Sequence, residues 1–507
     1  MQSLEDKQPA PESTRHLSST DSRRGADYYY LLLATAGFFL AWIPILPMRR
    51  FDPDEFEHSH AAWCTFKGLI PYRDFFEHHT PWYYYTLRPL FGWFHVDTSF
   101  ESARHFLIFG RGLSVLFAIL SVLAVVLLGR ILENRKVGLL AGLLLVGQPV
   151  FFEKGIEIRP DMLALPFFLG GLCFLLRGLS KSENSANRRL GWVLAGGLGT
   201  GGAVMCTQKM LFALPGLLGG LGIWALFAGS KRFPRILAVA CFLVGVAVPG
   251  VLTWAVFALH HGGAAFIANN FVLNAGWKQV VHEQLLKVLE TSWPVLLLCL
   301  LGSCAAVYRF FRSARRQYGE LLLLSTLVGL IAGILVVPVA HRQYYLMLLP
   351  IACWFAARGT FSLIERAKAS ARTWLLVIAT VPLFVLPALD LREAFTSRND
   401  RQLERLQQVL VSTQPTDVVM DGWQGTGVFR PHAFYYFFLH EESIPMLARE
   451  RVDAFLDALE GGKIRPRLIA MDEHLLALGS RFVRFVKRNY ASDDGFLYFS
   501  KGGPDQQ

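Results

Sequence analysis

Phe51-Asp52-Pro53-Asp54-Glu55-Phe56-Glu57-His58-Ser59-His60 opens a loop that continues through Lys67-Gly68-Leu69-Ile70-Pro71-Tyr72-Arg73-Asp74 and Phe76-Glu77-His78-His79-Thr80-Pro81-Trp82-Tyr83-Tyr84-Tyr85. Strongly apolar stretches flank it on both sides. Carboxylates, imidazoles and aromatic rings are concentrated beside a segment long enough to cross a bilayer. That combination points to chemistry at a membrane surface.

The rest of the chain supports the membrane setting. Of 507 residues, 53% are hydrophobic, more than a soluble globular chain averages. The apolar residues recur in runs long enough to span hydrocarbon as helices, giving about eleven spans, at roughly 28–48, 104–130, 137–153, 161–178, 190–206, 210–228, 236–258, 291–308, 320–339, 344–358 and 373–389. The first has a long apolar core behind a polar tail and no small-residue cleavage site, so it reads as a retained helix rather than a signal peptide.

Basic residues fall in alternate loops: Arg23 and Arg24; Arg130, Arg135 and Lys136; Lys181, Arg188 and Arg189; Lys231, Arg232 and Arg235; Arg309, Arg312, Arg315 and Arg316; Arg366, Lys368 and Arg372. The positive-inside rule puts these in the cytoplasm with the N-terminus. The opening loop and the C-terminal tail then lie on the periplasmic or outer face of a multi-pass cell (inner) membrane protein. The net charge of +11 is spread over separate short loops, not gathered on one basic face, which excludes nucleic acid as a partner. Seven cysteines without a CxxC pair suggest neither a disulfide framework nor a thiolate metal site.

The expected architecture is a polytopic α-helical membrane protein with a small C-terminal extracytoplasmic α/β domain. About 1–27 form a disordered cytoplasmic tail, 28–389 the membrane domain and 390–507 the exported domain, the loop at 51–103 carrying interfacial helices. One helix is expected from Asp54 to about Lys67 and another after Thr80-Pro81, a good helix start. In the tail, Thr416–Asp421, Arg467–Met471 and Phe496–Ser500 read as strands, and Val452–Leu459 and His474–Arg488 as amphipathic helices. The tail reads as a folded cap without a catalytic role.

Three groups could carry chemistry. Asp54 and Glu55 are adjacent acids just past a span, with Glu77, His78 and His79 in the same loop; the bland reading is loop solvation. Glu153, Lys154, Glu157, Arg159 and Asp161 cluster at the outer ends of two spans, where ionisable residues face a cavity or a partner, or simply pair with one another. Lys209, in a short outer turn, and His341, Arg342 and Tyr345, at another outer end, suit a phosphate or interface anchoring. All three groups fall on one predicted face.

Asp54-Glu55, the Lys67–Asp74 segment and His79-Thr80-Pro81 together resemble the first loop of the GT-C membrane glycosyltransferases, in the branch of the protein O-mannosyltransferases, the lipid A aminoarabinose transferase and the PMT-2 or Rgt-like enzymes. The resemblance covers about 28–360. It implies an inverting transfer of a sugar from a polyprenyl-phosphate donor, in contact with membrane lipids, to an acceptor hydroxyl on a glycan, lipid or protein. Asp54 would be the base or acceptor-positioning group with Glu55 in support; Glu77, His79, Asp161 and Tyr345 would border the donor and acceptor cavity; Lys209, Arg342 and His341 would hold the phosphate. Relatives often carry Lys before Pro in this loop, where this chain has His78-His79-Thr80-Pro81. No cofactor is required by this reading, although Asp54, Glu55 and His79 offer an alternative divalent-cation set. A transporter or flippase of lipid-linked saccharides is the main competing class. Such proteins place polar residues near the midplane, often in matched halves, whereas here they gather at outer helix ends. A glycoside hydrolase would leave the cations unexplained. The sequence names neither the sugar nor the acceptor.

Overall fold

A computed structural model describes residues 19–180, 185–229, 232–275, 283–312, 317–337, 340–365, 367–381, 385, 392, 396–440, 444 and 447–501. The expected disordered tail lies mostly outside these residues. Helix α1 (Ser19–Trp42) leads into the loop. There Asp52 caps α2 (Pro53–Phe66): its side chain accepts from the Asp54 N–H, and the Glu55 carboxylate reaches back to the Asp52 N–H at 3.0 Å. With Pro53 in the first turn, three successive local choices fix where this helix begins. Helix α3 (Trp82–Phe94) follows Pro81 and ends at His95, in the left-handed region at φ 50°. Thr80 does not cap it; its hydroxyl donates instead to the Val204 carbonyl at 2.8 Å.

The membrane domain continues with α4 (Phe100–Leu132), α5 (Arg135–Val146), α6 (Pro149–Lys154), α7 (Pro160–Leu179), α8 (Ala186–Cys206), α9 (Ala213–Phe227), α10 (Arg232–Leu259), α11 (Gly263–Ile267), α12 (Leu273–Ala275), α13 (Glu283–Arg312), α14 (Tyr318–Val336), α15 (Leu349–Ile364) and α16 (Ala369–Thr380). Among the described residues, six helical stretches are long and apolar enough to cross a membrane: Phe100–Leu132, Pro160–Leu179, Gln208–Phe227, Pro234–Leu259, Gln284–Arg312 and Tyr318–Val336. This corrects the expectation of about eleven. The first expected span contains only the shorter apolar helix Tyr29–Trp42, and that at 344–358 becomes a 3-10 turn followed by Leu349–Ile364. The span at 137–153 is split at Gly147-Gln148-Pro149 into α5 and α6. Helix α8 forms, but its many glycines dilute its apolar character. The last expected span runs partly outside the described residues.

Those glycines let backbones meet. A Cβ on Gly197 would stand 2.3 Å from the Phe242 carbonyl oxygen, and one on Gly201 2.4 Å from that of Val246, so α8 lies directly against α10. On its other side, Gly196 and Gly199 approach α7 at Gly171.

The tail is an α/β unit with a four-stranded sheet ordered β1 (Val419–Asp421), β2 (Leu468–Ala470), β4 (Leu497–Ser500) and β3 (Tyr490–Ala491). Strands β1 and β2 are parallel, and β4 is antiparallel to both β2 and β3. The expected helix at His474–Arg488 is interrupted by Gly479 at φ 91°, which separates a 3-10 turn from helix Ser480–Asn489. The tail is docked rather than tethered. The Gln402 side chain exchanges two hydrogen bonds with the Phe51 backbone, at 2.8 and 3.0 Å. Gly425, at φ 75°, lies so close to α2 that a Cβ would meet the Phe56 ring at 2.2 Å.

Candidate active site

A cavity of about 470 Å³ opens where the start of α2, the α6–α7 connection, the Gln208 and Arg342 turns and the tail converge. Asp54, Glu57, His78 and His79 line it from the first loop; Lys154, Lys209, His341, Arg342 and Tyr344 from the membrane helices; Trp423, His440 and His474 from the tail. A second cavity of about 300 Å³ adjoins it and shares Asp52 and Arg342.

Asp54 and Glu55 part company here. The Asp54 side chain is 22% exposed, and its Oδ2 accepts from Arg159 Nη2 at 2.6 Å. Burial works to raise its pKa, but the Arg159 guanidinium and then Lys154 outweigh that and hold the carboxyl well below the usual range. Asp54 is therefore ionised at neutral pH. Glu55 is fully buried and does not line the cavity. Its oxygens accept from Arg111 Nε and Nη2 at 2.9 and 2.7 Å, and from the Ile158 N–H at 3.2 Å. Arg111 in turn donates to the carbonyls of Leu46, Arg49 and Arg50. Through Arg111, Glu55 thus ties α2 to α4 and to the segment that follows α1.

Glu77 is fully buried behind His79: its Oε1 accepts from the backbone N–H of His78 and His79, both at 2.9 Å, and lies 3.0 Å from His79 Nδ1. Burial, followed by Lys209, drives the His79 pKa down to about 3, so the ring facing the cavity is neutral. Burial, with Asp54 and Glu77 adding to it, pushes Glu57 well above the normal carboxyl range. Asp161 does not line the cavity but holds Lys209 Nζ at 3.1 Å. Lys209 Nζ also sits 4.6 Å above the Tyr344 ring, a cation–π arrangement. Tyr345 is buried, and its neighbour Tyr344 faces the cavity instead. Arg342 pairs with Glu153. The structure therefore brings Asp54, His79, Lys209, His341 and Arg342 to one space, with Glu55, Glu77, Asp161 and Tyr345 behind it.

Glu57, Glu77, His78 and His79 offer ligand atoms that all lie within 4.8 Å of one another. Oxygen and imidazole donors of this kind suit a divalent cation, and Glu57 Oε1 is buried without a hydrogen bond among the described residues. This cluster shares His79 with the alternative set of Asp54, Glu55 and His79, whose Glu55 is bonded to Arg111 and does not line the cavity.

The sequence reading missed the tail. Trp423 Nε1 donates to Glu57 Oε2 at 3.3 Å, and its ring packs near His440 and His474. The available signal was Gly422-Trp423 directly after β1, since ligand crevices form beyond the carboxyl ends of strands.

The family described as dolichyl-phosphate-mannose-protein mannosyltransferase matches residues 106–255, from α4 into α10. No relative matches among the curated proteins. The fold is similar to that of ArnT from Cupriavidus metallidurans bound to undecaprenyl phosphate, with a TM-score of 0.62 at 13% identity, covering 93% of this chain and 97% of that one. The apo state of the same protein gives 0.64 at 14% identity, over 89% and 94%. The archaeal oligosaccharyltransferase AglB from Archaeoglobus fulgidus, in complex with an inhibitory peptide and a dolichol-phosphate, gives 0.57 at 12% identity, over 95% of this chain and 75% of that one. The architecture shared over nine-tenths of the chain shows that this protein has the fold of the ArnT and AglB structures, and the family match falls within its membrane domain.

Proposed function

We propose that this chain is an integral-membrane glycosyltransferase that moves a sugar from a polyprenyl-phosphate donor to an acceptor hydroxyl, on the outer face of a cell membrane and with inversion. The observation that carries this reading is a single cavity with an ionised carboxylate, Asp54, on one wall and fixed cations, Lys209 and Arg342, on another. The undecaprenyl phosphate of the similar ArnT structure and the dolichol-phosphate of the AglB structure support the donor class.

The residues divide the work by charge. The leaving group is a lipid phosphate, already a stable anion, so it needs cations rather than a general acid. Lys209 is held in place by Asp161 and Tyr344, and Arg342 by Glu153; both are oriented before a phosphate arrives. Asp54 accepts the acceptor's hydroxyl hydrogen bond, aligns the oxygen with the anomeric carbon and takes its proton as the new bond forms. Because Arg159 and Lys154 keep Asp54 weakly basic, proton transfer comes late, when the attacking oxygen has become acidic. Neutral His79 and Glu57, whose pKa burial pushes up, shape the same wall. Glu57, Glu77, His78 and His79 are the residues that would hold a divalent cation, which would supply positive charge beside the acceptor.

The test is transfer by purified protein from a panel of labelled polyprenyl-phosphate sugars, read as release of polyprenyl phosphate. Wild type releasing it and Asp54→Asn failing to do so is the expected outcome. Movement of intact lipid-linked sugar across vesicles with no release from any donor would replace this reading with a flippase.

A further inference from the structure

Away from the cavity, a second group of ligand-type side chains joins the membrane domain to the tail. His60 and Cys64 stand one turn apart on α2, and His432 comes from the tail just after Pro431. His60 Nε2 and His432 Nδ1 are 2.8 Å apart; Cys64 Sγ is 3.4 Å from the first and 3.8 Å from the second. Around tetrahedral zinc, nitrogen ligands stand about 3.3 Å apart and nitrogen and sulfur about 3.6 Å apart, given bonds of about 2.0 and 2.3 Å. Three side chains from two elements already hold those separations to within about half an ångström.

The protons point the same way. His60 Nδ1 is 2.8 Å from the Val428 carbonyl and donates to it. That bond leaves Nε2 as a lone pair aimed at His432 and Cys64, the second-partner arrangement that orients metal-bound imidazoles. Cys64 is fully buried and His60 nearly so. A cavity of about 40 Å³, lined by both histidines, adjoins them and has room for the water that completes a three-ligand site.

The geometry points to a zinc site formed by His60 Nε2, Cys64 Sγ and His432 Nδ1, with a water as the fourth ligand. A thiolate with two imidazoles favours a borderline-soft ion over magnesium or calcium. The site joins α2, which carries Asp54 at its other end, to the tail, which carries Trp423. Zinc here would act as a clasp between the two walls of the cavity, not as a participant in transfer. It is independent of the proposed activity.

The experiment uses the full chain in detergent, purified without a polyhistidine tag, loaded with zinc, desalted and analysed for metal by mass spectrometry. At least one zinc per chain is expected, falling by about one per chain in Cys64→Ser and in His432→Ala; zinc held by the separate cavity cluster would be lost in His79→Ala instead. In wild-type protein, cobalt in place of zinc should give a thiolate-to-cobalt charge-transfer band that added zinc abolishes. That readout stands even if a variant does not fold. An unchanged zinc content in both Cys64→Ser and His432→Ala, or cobalt binding without the thiolate band, would each overturn the assignment. So would copper, rather than zinc, in the protein as isolated.

Discussion

Glu55→Gln and Asp54→Asn should fail in opposite ways. The Glu55 carboxylate has no exposed surface and accepts four hydrogen bonds: two from Arg111, one from the Asp52 N–H at 3.0 Å and one from the Ile158 N–H at 3.2 Å. A glutamine keeps one acceptor oxygen but turns an NH₂ toward a buried guanidinium. Breaking a buried pair from one side costs about 3–5 kcal/mol. The three carbonyls that also hold Arg111 place the loss near the lower end, about 3 kcal/mol. Asp54→Asn removes a partly exposed carboxylate, while Arg159 keeps Glu157 at 3.0 Å. Its stability cost should stay below that of Glu55→Gln, at about 1–2 kcal/mol, because Arg159 keeps Glu157, but turnover should fall about 10²–10⁴-fold if Asp54 takes the proton. The assay pairs thermal midpoint and monodisperse yield in detergent with release of polyprenyl phosphate. Glu55→Gln should give less and weaker protein whose surviving fraction turns over within a few-fold of wild type; Asp54→Asn should give normal protein that is inactive. A Glu55→Gln protein as stable as wild type yet as inactive as Asp54→Asn would refute the division of labour.

Arg342→Gln removes one charge-assisted bond to the donor phosphate, of about 1.5–3 kcal/mol, and should raise the donor KM at least tenfold with a smaller change in kcat; an unchanged donor KM would take Arg342 out of phosphate binding. Burial, then Asp472, pushes the Asp421 pKa up to about 6, so its contribution to stability is full below its unfolded value of 3.8 and lost as pH rises through 6. Asp421→Asn keeps an acceptor for the Gly427 N–H and Thr426 hydroxyl and should gain up to about 3 kcal/mol over wild type between pH 4 and pH 8, measured as hydrogen-exchange protection of β1 and β2; a pH-independent difference would contradict the shift. Gly425→Ala adds a Cβ against the Phe56 ring at positive φ and should cost about 1–3 kcal/mol, seen as faster proteolysis of the tail with the membrane helices intact.

What the sequence made legible was what neighbouring residues decide. The start of α2 could be read because its cap, its proline and its reciprocal glutamate lie within four positions. Six spans could be read because their apolar windows stay long as well as apolar, even with Pro166, Pro249 or Pro294 inside them; others fell short where the helix ended early, as at Gly147-Gln148. The roles of the first two acids could not be read in this way. On a helix, adjacent side chains diverge by about 100°, so at most one of Asp54 and Glu55 can face a given space. Which one does is decided by Arg111, 56 residues on, and Arg159, 105 residues on. Arg111 lies in the middle of an apolar helix with its charge fully matched; Arg159 opens a helix with Asp54 as one of several acids around it. A buried, fully satisfied guanidinium fixes its glutamate in the framework. A guanidinium shared among several carboxylates leaves one of them free to exchange part of that contact for a substrate hydroxyl. The same long-range docking puts Trp423 and His440 on the cavity wall, which makes the tail part of the space in which an acceptor would be selected; the one local sign of it is Gly422-Trp423 at the carboxyl end of β1.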